Sequence, residues 1–241
     1  MSESVSFRRD GAVLTLELNR PADGNLLDAA MSAAIIEQLA HLDPEVRVVC
    51  LRGAGADFCA GRVSPTPPKG GAVPTAERLR QMVALPALAL YDALKAVPVP
   101  TVAVVQGRAL GVGTALAAVC DITLAAEDAR FAIPEMERDI PPTLVMAALC
   151  DRVPPKTLAW LVLARPTLDG REAQAAGLIT RAVAASSLEA EARAMLDTMA
   201  ACGSVALRAC KQYLQHAPAM DPAAASAFAS HVAGTALSAR Y

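Results

Sequence analysis

The chain has 241 residues, 54% apolar and only 3% aromatic, and 22 basic against 24 acidic side chains leave a net charge of −2. That length buries a substantial core without disulfides or metals. The near-neutral charge and the scarcity of rings exclude a protein that holds nucleic acid by charge or stacking. No apolar run reaches the ~20 residues of a membrane helix. The start, Met1-Ser2-Glu3-Ser4, lacks the charged and apolar regions of a signal peptide. Six scattered cysteines without a CxxC pair read as buried free thiols, which places the chain in the cytoplasm. The three histidines, His41, His216 and His231, are far apart, so no metal is expected. A mean hydropathy of +0.35 suits close helix packing or a buried subunit face.

In chain order, 5–9 and 12–18 predict two strands around an Asp10-Gly11 turn, the second alternating Val13, Thr15, Glu17 against Leu14, Leu16, Leu18. Asp28 caps a predicted helix running to about residue 42, with Met31, Ile35, Leu39 and Leu42 on one face. Residues 46–51 form an apolar run interrupted only by Arg47, the pattern of a strand inside a sheet. Breakers fill 64–71 and predict a long extended loop. A helix is expected over 75–96, kinked at Pro86. Further strands are expected at 101–105 and 121–125, with a helix starting near Gly111 between them and a short extended piece at 131–133. From Thr143 the pattern is helical, broken by a turn at Asp169-Gly170 and a strand at 179–183. Strands and helices alternate first and helices dominate later, so the fold class is α/β with a helical C-terminal part. The expected division is a core over 1–190 and a helical region over 191–241.

Three segments carry candidate chemistry. Gly107-Arg108-Ala109-Leu110-Gly111-Val112-Gly113 joins a strand to a helix, whose first N–H groups have no intrahelical partner and carry the positive dipole end. It reads equally as a ligand-binding turn or as close helix–strand packing; the order of a dinucleotide fingerprint and a Walker lysine are both missing. Phe58-Cys59-Ala60-Gly61-Arg62 is a second small-residue turn able to aim N–H groups at the same point. Pro134-Glu135 then supplies one placed carboxylate. Two N–H-bearing turns and one acid can polarise a carbonyl and move a proton beside it.

These segments, together with Leu18-Asn19-Arg20-Pro21, Asn25-Leu26-Leu27, Leu116-Ala117, Cys120-Asp121 and Phe131-Ala132-Ile133-Pro134-Glu135, resemble the crotonase superfamily, the enoyl-CoA hydratase/isomerase group, from about Leu18 to Val183 and weakly beyond. The resemblance implies a spiral of ββα units closed by C-terminal helices that build homotrimers, often paired as homohexamers. It implies a coenzyme A thioester as the small-molecule substrate and no other cofactor. The backbone N–H groups of Arg62 and Val112 would form an oxyanion hole supported by Gly61, Gly111 and Gly113. Glu135 would be the general base and acid. Cys59, Ala60, Lys69 and Phe228 are candidate CoA contacts, and Arg62 is a candidate for the CoA phosphates.

The chain departs from the family pattern at three places. Ala115 stands where family hydratases carry a second glutamate, Val112 where a middle glycine is usual, and Val63 where an aspartate is common. With one carboxylate a proton can still pass between carbons, whereas hydration needs a second group to handle water. Double-bond isomerisation is therefore favoured. The rivals are a hydratase in which Asp139 replaces the missing acid and a catalytically weak acyl-CoA-binding paralogue. Asp139 otherwise reads as a solvated loop residue, Glu137 and Arg138 as a surface pair, and Tyr91, Trp160 and Tyr213 as core or interface residues.

Overall fold

A computed structural model describes residues 4–63 and 73–239. The proline-rich stretch 64–71, including Lys69, lies outside the described residues.

Gly11, at φ +56°, turns strand β1 (Val5–Asp10) back onto β2 (Val13–Leu18), with Val5 opposite Leu18. Every later pairing in this sheet is parallel. It adds β3 (Val48–Gly53), β4 (Thr101–Val105), β6 (Ile122–Ala126) and β8 (Arg181–Val183), in the order β1-β2-β3-β4-β6-β8. The alternation in β2 predicts one solvated face, yet only Glu17 is partly exposed. The strand lies inside the sheet between β1 and β3, and its side chains enter the common core.

A second, narrower ladder runs beside the first. The short strands β5 (Arg108–Leu110) and β7 (Arg130–Ala132) pair in parallel. Single bridges extend the ladder from Leu27 to Arg62, from Cys59 to Ala109 and from Phe131 to Leu168. Each pass of the chain therefore leaves a long strand in one sheet and a short rung in the other, then returns through a helix. That is the expected ββα spiral. β5 lies within what the sequence presents as a turn, because three residues carry too little periodicity to register as a strand.

Helix α1 (Ala29–Ala40) begins at the predicted cap, where Asp28 accepts from Met31 N–H at 2.8 Å, and buries Met31, Ile35 and Leu39. The predicted helix at 75–96 is α2 (Ala76–Leu79), a π-helical segment (Arg80–Ala84) and α3 (Leu85–Ala96). Pro86 has no N–H to return to Met82, and Leu85 instead donates to Arg80, five residues back. Then follow α4 (Val112–Val119), α5 (Thr143–Leu149), α6 (Pro155–Leu163), α7 (Gly170–Ala175), α8 (Leu188–Ala200), α9 (Ser204–His216) and α10 (Pro222–Ser238). In α7 Asp169 and Glu172 form a reciprocal capping box. No helix of the described residues is long and apolar enough to cross a membrane.

α9 is tied to the sheet by one charge. Lys211 is 1% exposed, and its Nζ donates to both carboxylate oxygens of Asp121 at 2.7 Å. Asp121 also accepts from the N–H and hydroxyl of Thr101 at the start of β4. Removing one member of such a pair strands the other charge. Lys211→Met is expected to lower unfolding stability by about 3 kcal/mol in urea titrations, and adding Asp121→Asn is expected to restore part of the loss.

Candidate active site

The site grows from glycines that allow backbones to touch. A Cβ on Gly107 would stand 2.0 Å from the Ala56 carbonyl oxygen, and one on Gly113 would stand 2.1 Å from that of Cys59. With only hydrogen there, the chain after β3 and the chain after β4 stack rung on rung. Phe58 N–H donates to Gln106, Cys59 N–H to Arg108 and Leu110 N–H back to Cys59, at 2.8–2.9 Å. Gly111 N–H then donates to Ala132 at 2.8 Å, which brings in the β7 pass. The Thr114 hydroxyl sits between the carbonyls of Ala109 and Ala132 at 2.7 and 3.0 Å.

Two polar clamps hold the register. Asp57 accepts from Arg108 N–H, Nε and Nη2 at 2.7–2.9 Å, and this pairing holds its carboxyl below the usual range. Asn25, buried at φ +58°, donates to the carbonyls of Ala54 and Asp57 and accepts from Arg20 N–H. Neither clamp follows from local sequence, since each partner is set by the stacking.

The two predicted N–H donors come out on one cavity. In the bridge to Leu27, the Gly61 carbonyl and the Val63 N–H face Leu27. The N–H of Arg62 between them points the other way and has no acceptor among the described residues. Val112 is the first residue of α4, so its N–H lacks an intrahelical partner, and it too has none among the described residues. Arg62 and Val112 both line a cavity of 470 Å³, with Gly61, Ala60, Gly111 and Glu135. Gly111, at φ +53° and ψ −109°, turns β5 into α4 through a conformation that side-chain-bearing residues avoid. Two unsatisfied donors, one of them at a helix start, can hold developing negative charge on an oxygen.

Glu135 opens a 3₁₀ turn (Glu135–Arg138) after β7. Its carboxylate lies against the α-carbon of Gly111, where a Cβ would come within 2.3 Å of Oε1. Oε2 is buried without a hydrogen-bond partner. Burial raises the Glu135 pKa from its ordinary 4.5, opposed by its own backbone N–H and by Arg138. Among the described residues it is the only carboxylate in the cavity wall.

Other predicted residues fall elsewhere. Ala115 is fully buried in α4 and outside the cavity wall, so its position faces packing. Asp139 is exposed, adopts φ +54° to close the turn after Glu135, and does not line the cavity. Aspartate tolerates the left-handed conformation there. Cys59 is buried, its thiol donates to the Gly61 carbonyl at 3.2 Å, and burial pushes its pKa up to about 11; it packs beneath the wall and does not enter it. Phe228 stacks on Tyr213 with centroids 5.9 Å apart, in a groove between α9 and α10 that contains no carboxylate. Arg138 and Glu137 form no ion pair, and Arg138 lines the cavity. Tyr91 of α3 is also a cavity residue, with its phenol pKa driven up by burial. Sequence pattern misses Arg138 and Tyr91, since an exposed charge and a buried ring look ordinary in one dimension. Among the described residues no cluster of His, Cys, Asp and Glu could hold a metal ion.

A two-ladder spiral of this kind, with a cavity where its successive turns meet a helix start, is the crotonase fold. The chain belongs to the enoyl-CoA hydratase/isomerase family, whose model matches residues 8–238. It is 31% identical over 220 residues to a Mycobacterium bovis protein carrying the name enoyl-CoA hydratase, covering 89% of this chain and 82% of that one. An enoyl-CoA hydratase structure from Mycobacterium smegmatis superposes with a TM-score of 0.88 at 30% identity, covering 99% of this chain and 91% of that one. A Thermobifida fusca structure described as an enoyl-CoA hydratase in complex with CoA superposes with a TM-score of 0.85 at 27% identity, covering 98% and 92%. The chain is thus an acyl-CoA enzyme of this family.

Burial of Glu135 costs the folded state whenever the carboxylate is ionised. The folded-state pKa lies above the unfolded value, so the penalty is absent below the unfolded pKa and grows as pH rises through the folded one. Glu135→Gln is expected to match the wild type in acid and to exceed its stability near neutrality. Paired urea titrations across that pH range check this; equal stability at every pH contradicts it.

Proposed function

We propose that the chain moves a double bond within an acyl-CoA by passing one proton through Glu135. The observation that carries this reading is the single carboxylate, among the described residues, in the wall of a cavity that Arg62 and Val112 also line. The thioester oxygen sits between those donors. Glu135 takes a proton from C2 of a 3-enoyl thioester, the two N–H groups hold the resulting dienolate oxygen, and the same carboxyl returns the proton to C4. A carboxyl with a raised pKa suits both halves of that exchange. Ala60 and Gly61 lie where the thioester end of CoA would pass. No metal or redox group takes part in the scheme. Of the six cysteines expected to be buried, Cys50, Cys59 and Cys120 are, whereas Cys150, Cys202 and Cys210 lie exposed on the C-terminal helical part; all six are free thiols, which suits a reducing cytoplasm. α10 buries no side chain within the single chain, which fits a role in joining subunits of a homotrimer or homohexamer.

Hydration is the second reading, favoured by the hydratase names of the relatives. It requires Glu135 to handle water unaided, because Ala115 and Asp139 stand outside the cavity wall.

Proton NMR of a 3-enoyl-CoA in D₂O separates the readings. The expected product is the 2-enoyl thioester, carrying at C4 either the proton taken from C2 or the deuterium that replaced it on the Glu135 carboxyl, formed about 10²–10⁴-fold more slowly by Glu135→Gln. A 3-hydroxyacyl product instead would transfer the assignment to hydration. Binding without any change of substrate would leave an acyl-CoA-binding protein.

A further inference from the structure

The Arg62 side chain does something separate from its backbone. Its N–H stays with that of Val112, while the guanidinium crosses to the helical wall and donates from Nη1 to the Val83 carbonyl at 3.0 Å. Arg62 lines both the 470 Å³ cavity and an adjoining one of 290 Å³, with Val83 in the wall of the first and Ala87 shared between them. No carboxylate pairs with it among the described residues, and the segment 64–72 contains no acid. Glu135 shares the larger cavity but makes no ion pair with it. The guanidinium is half-buried, and burial pulls its pKa below the ordinary value.

A charge withdrawn from water without a counter-charge is costly, and a guanidinium binds planar oxyanions through paired N–H donors. Val83 occupies one of those donors, and the others have no acceptor among the described residues. Arg138 adds a second cation to the same wall, also without an ion-pair partner among the described residues. Two cations, Arg62 and Arg138, against the one carboxyl of Glu135 among the described residues give this wall an excess of positive charge, which favours an anionic ligand.

We propose that the Arg62 guanidinium recognises a carboxylate at the far end of a short acyl chain, so that the substrate is the CoA thioester of a dicarboxylic acid. This rests on the acyl-CoA reading above. The thioester donor and the guanidinium belong to one residue, so the two ends of the acyl group lie no farther apart than an arginine side chain reaches. The chain is therefore short. The phosphates of CoA are the other source of oxyanions, and the test separates them.

The experiment compares binding and kcat/KM for two 3-enoyl-CoA thioesters of equal length, one ending in a carboxylate and one in a primary amide, alongside CoA alone. The wild type is expected to prefer the carboxylate by about 10–100-fold. Arg62→Met is expected to abolish that preference, chiefly through KM and Kd, while Arg62→Lys keeps part of it. Thermal melting checks that each variant is folded, and the wild-type preference is read without any variant. Equal treatment of the two thioesters by the wild type overturns the proposal. So does an Arg62→Met variant that weakens both thioesters and CoA alike, which assigns the guanidinium to the phosphates. If no thioester binds the wild type, the acyl-CoA reading itself fails and this proposal with it.

Discussion

Backbone contact between successive passes of the chain is the constraint on which the remaining structure depends. At Gly107 and Gly113 a single methyl group would drive into a neighbouring carbonyl oxygen. Without that contact the rungs Cys59–Ala109 and β5–β7 could not form. The N–H groups of Arg62 and Val112 would then open onto different spaces. Each strand of the large sheet contributes apolar side chains to the core, but the narrow ladder sets the positions of the polar atoms.

The same packing explains why the site is electrostatically unbalanced. Close stacking excludes water from the floor of the cavity and leaves Glu135 Oε2 without a partner. Lys211 holds Asp121 and Arg108 holds Asp57, whereas the Glu135 carboxyl and the Arg62 guanidinium share one cavity without an ion-pair partner among the described residues. Unsatisfied buried charge is disfavoured in folding and is retained where a ligand completes it. A carboxyl with a pKa raised by burial, two N–H groups without acceptors and two cations without ion-pair partners among the described residues meet in this one cavity.

Sequence periodicity and turn chemistry were sufficient for much of this. The Asp10-Gly11 hairpin and the Asp28 cap each depend on a few adjacent residues and appear where local preferences place them, while the irregularity expected at Pro86 takes the form of a π-helical segment just before it. The three chemical segments were legible for a related reason. A glycine at a strand-to-helix junction and a lone acid after an extended piece leave marks that do not need the third dimension.

Tertiary structure alone decided which of those marks converge. Arg62 reads as a backbone donor, and only folding shows its side chain crossing to Val83. Lys211 reads as a surface lysine on α9 until it meets Asp121, 90 residues away. Arg138 passes for a surface residue and Tyr91 for core, yet both face the cavity, while Asp139 beside them turns outward. The physical reason is common to all. Local conformation is set by φ preferences and short-range hydrogen bonds within a few residues. The neighbours of a side chain in space are set by the register between distant passes of the chain.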